Sequence, residues 1–247
     1  MNKRHKYNSE VFTNENEISY YLLGVFLTDG CTTTPCKKVK NRCHIISKDK
    51  DWLKSISMII CNEDITYQSN KKYVRLNISD KKIVQWLIDH GCNPRKTLTL
   101  EIPQIPLQYL PDFIRGCIDG DGSISHTTYK KYNRTKTKCY LYKKTTCYLC
   151  GASKFFIDQF KEILSTINIK SSLITLTPEQ QNKYKKIIDN RNIIAKHNIY
   201  RINMSDSNAY NFLKWIYYDD HQLSMPRKLI KTKTIFDYYD SKLALAA

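Results

Sequence analysis

Two aspartates stand immediately before a glycine at the ends of two similar apolar runs. These are Tyr21-Leu-Leu-Gly-Val-Phe-Leu-Thr-Asp-Gly30 and Phe113-Ile-Arg-Gly-Cys-Ile-Asp-Gly-Asp-Gly122. Each run is long enough for about three helical turns, and the closing glycine is placed to serve as a left-handed C-cap. One copy alone reads as an ordinary helix end. Both copies, however, carry an internal glycine at the same offset, Gly24 and Gly116, where a helix loses about 1 kcal/mol relative to alanine. That repeated cost points to packing: Gly24/Thr28 and Gly116/Gly120, spaced i,i+4, would let two helices meet backbone to backbone. Asp29 and Asp121 then emerge together at one end of the pair, as oxygen ligands of the kind hard cations take.

The segments that must hold this pair also repeat. Tyr73-Val-Arg-Leu-Asn-Ile-Ser-Asp80 is echoed by Ile199-Tyr-Arg-Ile-Asn-Met-Ser-Asp206. Strict alternation puts Arg75, Asn77 and Ser79 on one face and Val74, Leu76 and Ile78 on the other. It likewise opposes Arg201, Asn203 and Ser205 to Tyr200, Ile202 and Met204, the period of half-buried strands. An acidic start (Asp80, Asp206), a helical pattern with a tryptophan (Trp86, Trp215) and a Pro-Arg-Lys triplet follow each strand, ending at Lys96 and Lys228. Helical stretches at Trp52–Ile60 and Phe155–Leu164 precede the strands. Each half therefore reads as helix, two strands, helix, two strands, helix. The fold class is α+β, as two pseudo-symmetric αββαββα repeats spanning residues 1–104 and 105–247. Pro103 and Pro106 stiffen the join between them, and Lys183 to His197 reads as a polar, basic loop.

The 247 residues are 41% hydrophobic, enough for a sizeable core, and carry a net charge of +17 from 40 Lys+Arg against 23 Asp+Glu. The excess follows the strands: Lys37, Lys38, Lys40 and Arg42 flank the first hairpin, while Lys130, Lys131, Arg134, Lys136, Lys138, Lys143 and Lys144 crowd the second. Tyr129, Tyr132, Tyr140 and Tyr142 alternate with the latter group. A sheet with a basic, hydrogen-bonding face suits a polyanion, and a two-stranded ribbon fits the major groove of DNA. A membrane-surface helix is disfavoured because the positive residues do not gather on one amphipathic helix. No run reaches the ~18 apolar residues of a membrane span, and Met-Asn-Lys-Arg-His-Lys leads into no signal-peptide core. Nine cysteines in apolar positions such as Cys61 and Cys117 fit a reducing compartment, either a cytoplasm or nucleoid or an organelle matrix. Cys147-Tyr-Leu-Cys150 has metal-like spacing but no second pair, so zinc is not expected. His44, His126 and His221 stand isolated and are assigned no chemistry.

From roughly Asn16 to Tyr239, the paired motifs, the repeat order and the basic sheets resemble the LAGLIDADG homing endonucleases in their single-chain form. The second motif matches closely; the first has Leu27-Thr28 where the family carries an acidic residue and a small one. The resemblance implies motif helices at the interface of the halves, two antiparallel sheets forming a DNA-binding saddle, and a monomer. It also implies that Asp29 and Asp121 coordinate magnesium, helped by the carbonyls of Thr28 and Gly120, and that Lys96 and Lys228 approach the scissile phosphates. The earlier acidic position, Asp119 here and Leu27 in the first copy, is implied to be structural or variable. Arg75, Asn77, Arg201 and Asn203 are the first candidates for reading bases, with Lys138 and Tyr140 from the second hairpin behind them. The implied activity is a staggered double-strand break in a long, non-palindromic double-stranded DNA target, as in intron homing. The alternative is an intron maturase that binds RNA on the same fold without cutting.

Overall fold

The computed structural model describes residues 5–33, 42–183, 187–188, 191–192 and 194–245. Lys37, Lys38, Lys40 and Cys36 lie outside them.

A short α1 (Glu10–Thr13) leads into α2 (Glu17–Thr28), β1 (Gly30–Thr32), β2 (Cys43–Ser47), α3 (Lys50–Cys61), β3 (Tyr67–Gln68), β4 (Val74–Ile78) and α4 (Lys81–Asp89). After two 3-10 turns, Lys96–Leu98 and Leu107–Tyr109, come α5 (Leu110–Asp121), β5 (Gly122–Tyr132), β6 (Cys139–Gly151), α6 (Lys154–Thr166) and β7 (Ser172–Leu176). Then follow α7 (Pro178–Lys183), β8 (Ile187–Ile188), β9 (Arg191–Asn192), β10 (Ile199–Ser205), α8 (Asp206–Ile216) and α9 (Pro226–Ala244). Two four-stranded antiparallel sheets run β1-β2-β4-β3 and β5-β6-β10-β7. They share one topology, since β10 stands where β4 does. The segment read as a loop, Lys183 to His197, begins at the end of α7 and holds the β8–β9 ribbon among its described residues.

Local rules explain the elements. Asn16 closes a capping box on α2, accepting from the N–H groups of Ile18 and Ser19 while the Ser19 hydroxyl accepts from the Asn16 N–H. Tyr20 through Leu27 are all buried, as expected of a helix apolar on every side. The outer helices are amphipathic instead: Trp52, Leu53, Ile56 and Ile60 of α3, and Phe156, Ile157, Phe160 and Leu164 of α6, enter the core. Alternation holds in the paired strands, with Val74, Leu76, Ile78, Ile202 and Met204 buried. Asp80 caps α4 by accepting from the Ile83 N–H. Its echo Asp206 instead takes a left-handed φ of 51° and accepts from the Thr145 N–H of β6.

One expectation is corrected. Gly30 and Gly122 are not left-handed caps; Gly122 is extended (φ −80°, ψ 165°) and each opens a strand. A Cβ on Gly30 would stand 2.6 Å from the Phe26 Cα, and one on Gly122 2.6 Å from the Ile118 carbonyl oxygen. Steric room against the preceding helical turn, not backbone handedness, requires glycine there.

Candidate active site and nucleic-acid interface

The motif helices α2 and α5 pack directly on each other. A Cβ on Gly24 would lie 2.2 Å from the Phe113 carbonyl oxygen, one on Gly116 2.1 Å from that of Tyr21, and one on Gly120 2.1 Å from Thr28 Oγ1. The Thr28 hydroxyl folds back on its own helix, donating to the Gly24 carbonyl at 2.8 Å. The two helix ends are thus side by side, and the aspartates that follow feel each other. Burial, and then the Asp121 charge, push the Asp29 carboxyl up to about 6, against the pull of Lys228 and Arg227. Burial likewise raises Asp121, opposed by Lys228 and Lys96.

Both lysines are buried, Lys96 at 8% and Lys228 at 3% exposure. Lys96 Nζ donates to the Gly30 carbonyl at 2.5 Å. Lys228 Nζ donates to the carbonyls of Ile118 (2.5 Å), Asp119 (2.7 Å) and Gly122 (2.8 Å). Each ammonium therefore clasps the glycine that follows the aspartate of its own half. The identical Pro-Arg-Lys triplets reach this by different backbones. Arg95 takes a left-handed φ of 61° before a 3-10 turn, whereas Pro226 opens α9 and places Lys228 in its first turn. Beside Lys228, Arg227 Nε donates to Asp49 Oδ1 at 2.7 Å, an ion pair between halves that sequence spacing did not reveal.

Asp119 lies fully buried between the two halves. Its buried carboxylate accepts from the hydroxyls of Tyr21 (2.9 Å) and Tyr217 (2.6 Å) and from the Met225 N–H (2.8 Å). Burial raises its pKa, against the pull of Tyr217 and Lys228. Asp112 and Arg115 form a buried ion pair, with Arg115 also donating to the carbonyls of Leu223 and Ile216.

On the polar face of the first sheet, Arg75 Nε donates to Asn77 Oδ1 (3.0 Å) and Asn77 Nδ2 to the Tyr67 hydroxyl (2.8 Å). His44 pairs with Asn77 in register and lies on that face. Burial and then the charges of Arg75 and Lys96 lower its pKa. On the second sheet Arg201 lies over the Tyr148 ring at 5.1 Å, and Asn203 is paired with Tyr148. The β5–β6 ribbon continues that face outward through Tyr129 stacked on Tyr142, with Lys131 over the Tyr142 ring. Tyr140 lies on this ribbon, opposite Lys131. Lys138 is at its turn, its N–H bonded to the Asn133 side chain. The structure thus brings Asp29, Asp121, Lys96 and Lys228 together, while the base-reading candidates spread over the two sheets and the outer ribbon.

Among the described residues no helix is long and apolar enough to cross a membrane. No protein-family model and no curated protein matches the sequence. Solved structures do match the fold. A LAGLIDADG meganuclease, I-AabMI, bound to uncleaved DNA superposes with a TM-score of 0.56 at 15% identity, over 94% of this chain and 92% of that one. The I-LtrWI LAGLIDADG homing endonuclease bound to target DNA gives 0.52 at 11% identity, over 95% and 92%. I-SmaMI bound to an uncleaved DNA target in the presence of calcium ions gives 0.54 at 9% identity, over 92% and 93%. The chain has the two-sheet saddle fold of these proteins.

Proposed function

We propose, starting from that shared fold, that this chain is a site-specific DNA endonuclease. It would hydrolyse one phosphodiester on each strand of a long duplex and leave a staggered break. The observation that carries this reading is the meeting of Asp29 and Asp121 at adjacent helix ends, each half adding a buried lysine on the neighbouring glycine carbonyl. A protein that only binds nucleic acid needs the basic faces but not two carboxylates held together at a cost in ionisation.

The donor set fits a hard divalent ion of the magnesium class. Among the described residues no three His, Cys, Asp or Glu side chains converge as a metal site. The protein would offer the carboxylates of Asp29 and Asp121 with the last-turn carbonyls of Thr28 and Gly120, which lack helical partners, leaving other positions to water and phosphate. The ion would activate the attacking water and stabilise the leaving oxygen. Lys96 and Lys228 hold the Asp-Gly backbone by their carbonyls and set two positive charges beside the carboxylates, where negative charge grows on the phosphorus oxygens. Arg75 with Asn77, and Arg201 with Asn203, read bases from the sheets, while Lys138 and Tyr140 grip the duplex farther out. With one carboxylate from each half, the two cuts fall on opposite strands across the minor groove.

The test is digestion of a large library of duplex sites with magnesium, sequencing the ends, beside Asp29→Asn and Asp121→Asn. Recurrent paired cuts that vanish in both variants support the nuclease. An absence of cuts, with selective binding of intron RNA retained, would replace it with the maturase reading.

A further inference from the structure

The two halves of the active site are supported unequally. In the second motif Asp119 occupies the place that Leu27 holds in the first. Its carboxylate joins both halves: Trp52 Nε1 of α3 donates to the Tyr21 hydroxyl of α2 at 2.8 Å, which donates to Asp119 of α5. On the far side the carboxylate accepts from Tyr217 and from the Met225 N–H. Met225 immediately precedes α9, whose first turn carries Lys228. Lys228 Nζ in turn donates to the backbone carbonyl of Asp119 itself. One residue thus fixes the start of the helix that bears the lysine and supplies an acceptor for the lysine's ammonium. In the first half Leu27 has no side-chain acceptor, and Lys96 follows a left-handed Arg95 on a 3-10 turn.

We propose that Asp119 is a positioning residue for Lys228 and not for Lys96, so that the two strand cuts depend on different supports. The consequence for cleavage rests on the nuclease reading; the placement of Lys228 rests on geometry alone, and the experiment separates the two. Asp119→Asn keeps the shape but replaces an acceptor oxygen with a donor. Tyr217→Phe, a milder change, removes one of the hydroxyls that hold the carboxylate.

The free proteins are treated with acetic anhydride and lysine acetylation is followed residue by residue by mass spectrometry. In Asp119→Asn, acetylation of Lys228 is expected to accelerate about tenfold and that of Lys96 to stay within about twofold. Tyr217→Phe should shift Lys228 in the same direction by less. On a duplex recovered from the library, end-labelled strands identify which cut is slowed most by Lys228→Met and which by Lys96→Met. Asp119→Asn is expected to slow the first about tenfold or more while leaving the second near its wild-type rate. Equal acceleration of Lys96 and Lys228, or equal slowing of both strands, overturns the proposal. If the wild-type protein cuts no duplex, the nuclease reading fails and the labelling alone decides where Asp119 acts.

Discussion

Asp29→Asn is expected to stabilise the folded protein at alkaline pH while abolishing cleavage. The carboxyl is pushed from its ordinary 3.8 to about 6, first by burial and then by the Asp121 charge. At ~1.4 kcal/mol for each tenfold change in proton affinity, this is about 3 kcal/mol of penalty on the ionised form. Screening of the half-buried side chain brings the expected gain to about 2 kcal/mol. A raised folded-state pKa means that the folded protein holds its proton more tightly than the unfolded chain. The favourable contribution is therefore present below 3.8 and lost as pH rises through about 6. Asparagine, nearly the same shape, never ionises. Urea unfolding of both proteins at pH 4 and pH 8 should show a gap of about 2 kcal/mol at pH 8 that falls below about 1 kcal/mol at pH 4. Adding magnesium at pH 8 should raise the wild-type midpoint and leave the variant's nearly unchanged, since binding to the folded state adds about 2.7 kcal/mol at one hundred times Kd. A gap of equal size at both pH values, or a wild type more stable at pH 8, would refute the reasoning about this site.

Gly116→Ala opposes propensity to packing: alanine favours a helix by about 1 kcal/mol, but its Cβ would stand 2.1 Å from the Tyr21 carbonyl oxygen. Overpacking of about 1–3 kcal/mol or more should win, so calorimetry is expected to show a lower Tm; an unchanged or higher one would contradict the close helix contact. Arg227→Met removes a charge that lowers the Asp29 pKa, so NMR titration of the Asp29 carboxyl should find its midpoint above the wild-type value. Arg75→Ala is expected to cost about 1–3 kcal/mol at the target and to relax one base position. Lys131→Ala should instead weaken all sequences alike and lower the salt slope by about 1, as read by fluorescence anisotropy across salt concentrations.

Spacing alone determined a good part of this protein. The offset of Gly24 and Gly116 from Asp29 and Asp121 marked two helices that pack backbone to backbone, because only glycine permits that approach and the i,i+4 rule puts the small residues on one side. The period-2 alternation around Arg75 and Arg201 separated core from polar face, because side chains of a strand point alternately up and down whatever surrounds them. The tertiary structure decided what depends on residues far apart in the chain. Gly30 and Gly122 look like helix caps locally, and only the strands pressed against the preceding turns show that their missing Cβ is the point. The two Pro-Arg-Lys triplets are identical in sequence yet adopt different backbones, and Lys96 and Lys228 are buried against carbonyls rather than solvated at helix ends. Asp119 meets Tyr21 and Tyr217 across stretches of 98 residues, and Arg227 meets Asp49 across the halves. Local periodicity carries no record of such partners, since they are selected by how surfaces from distant parts of the chain fit when buried together.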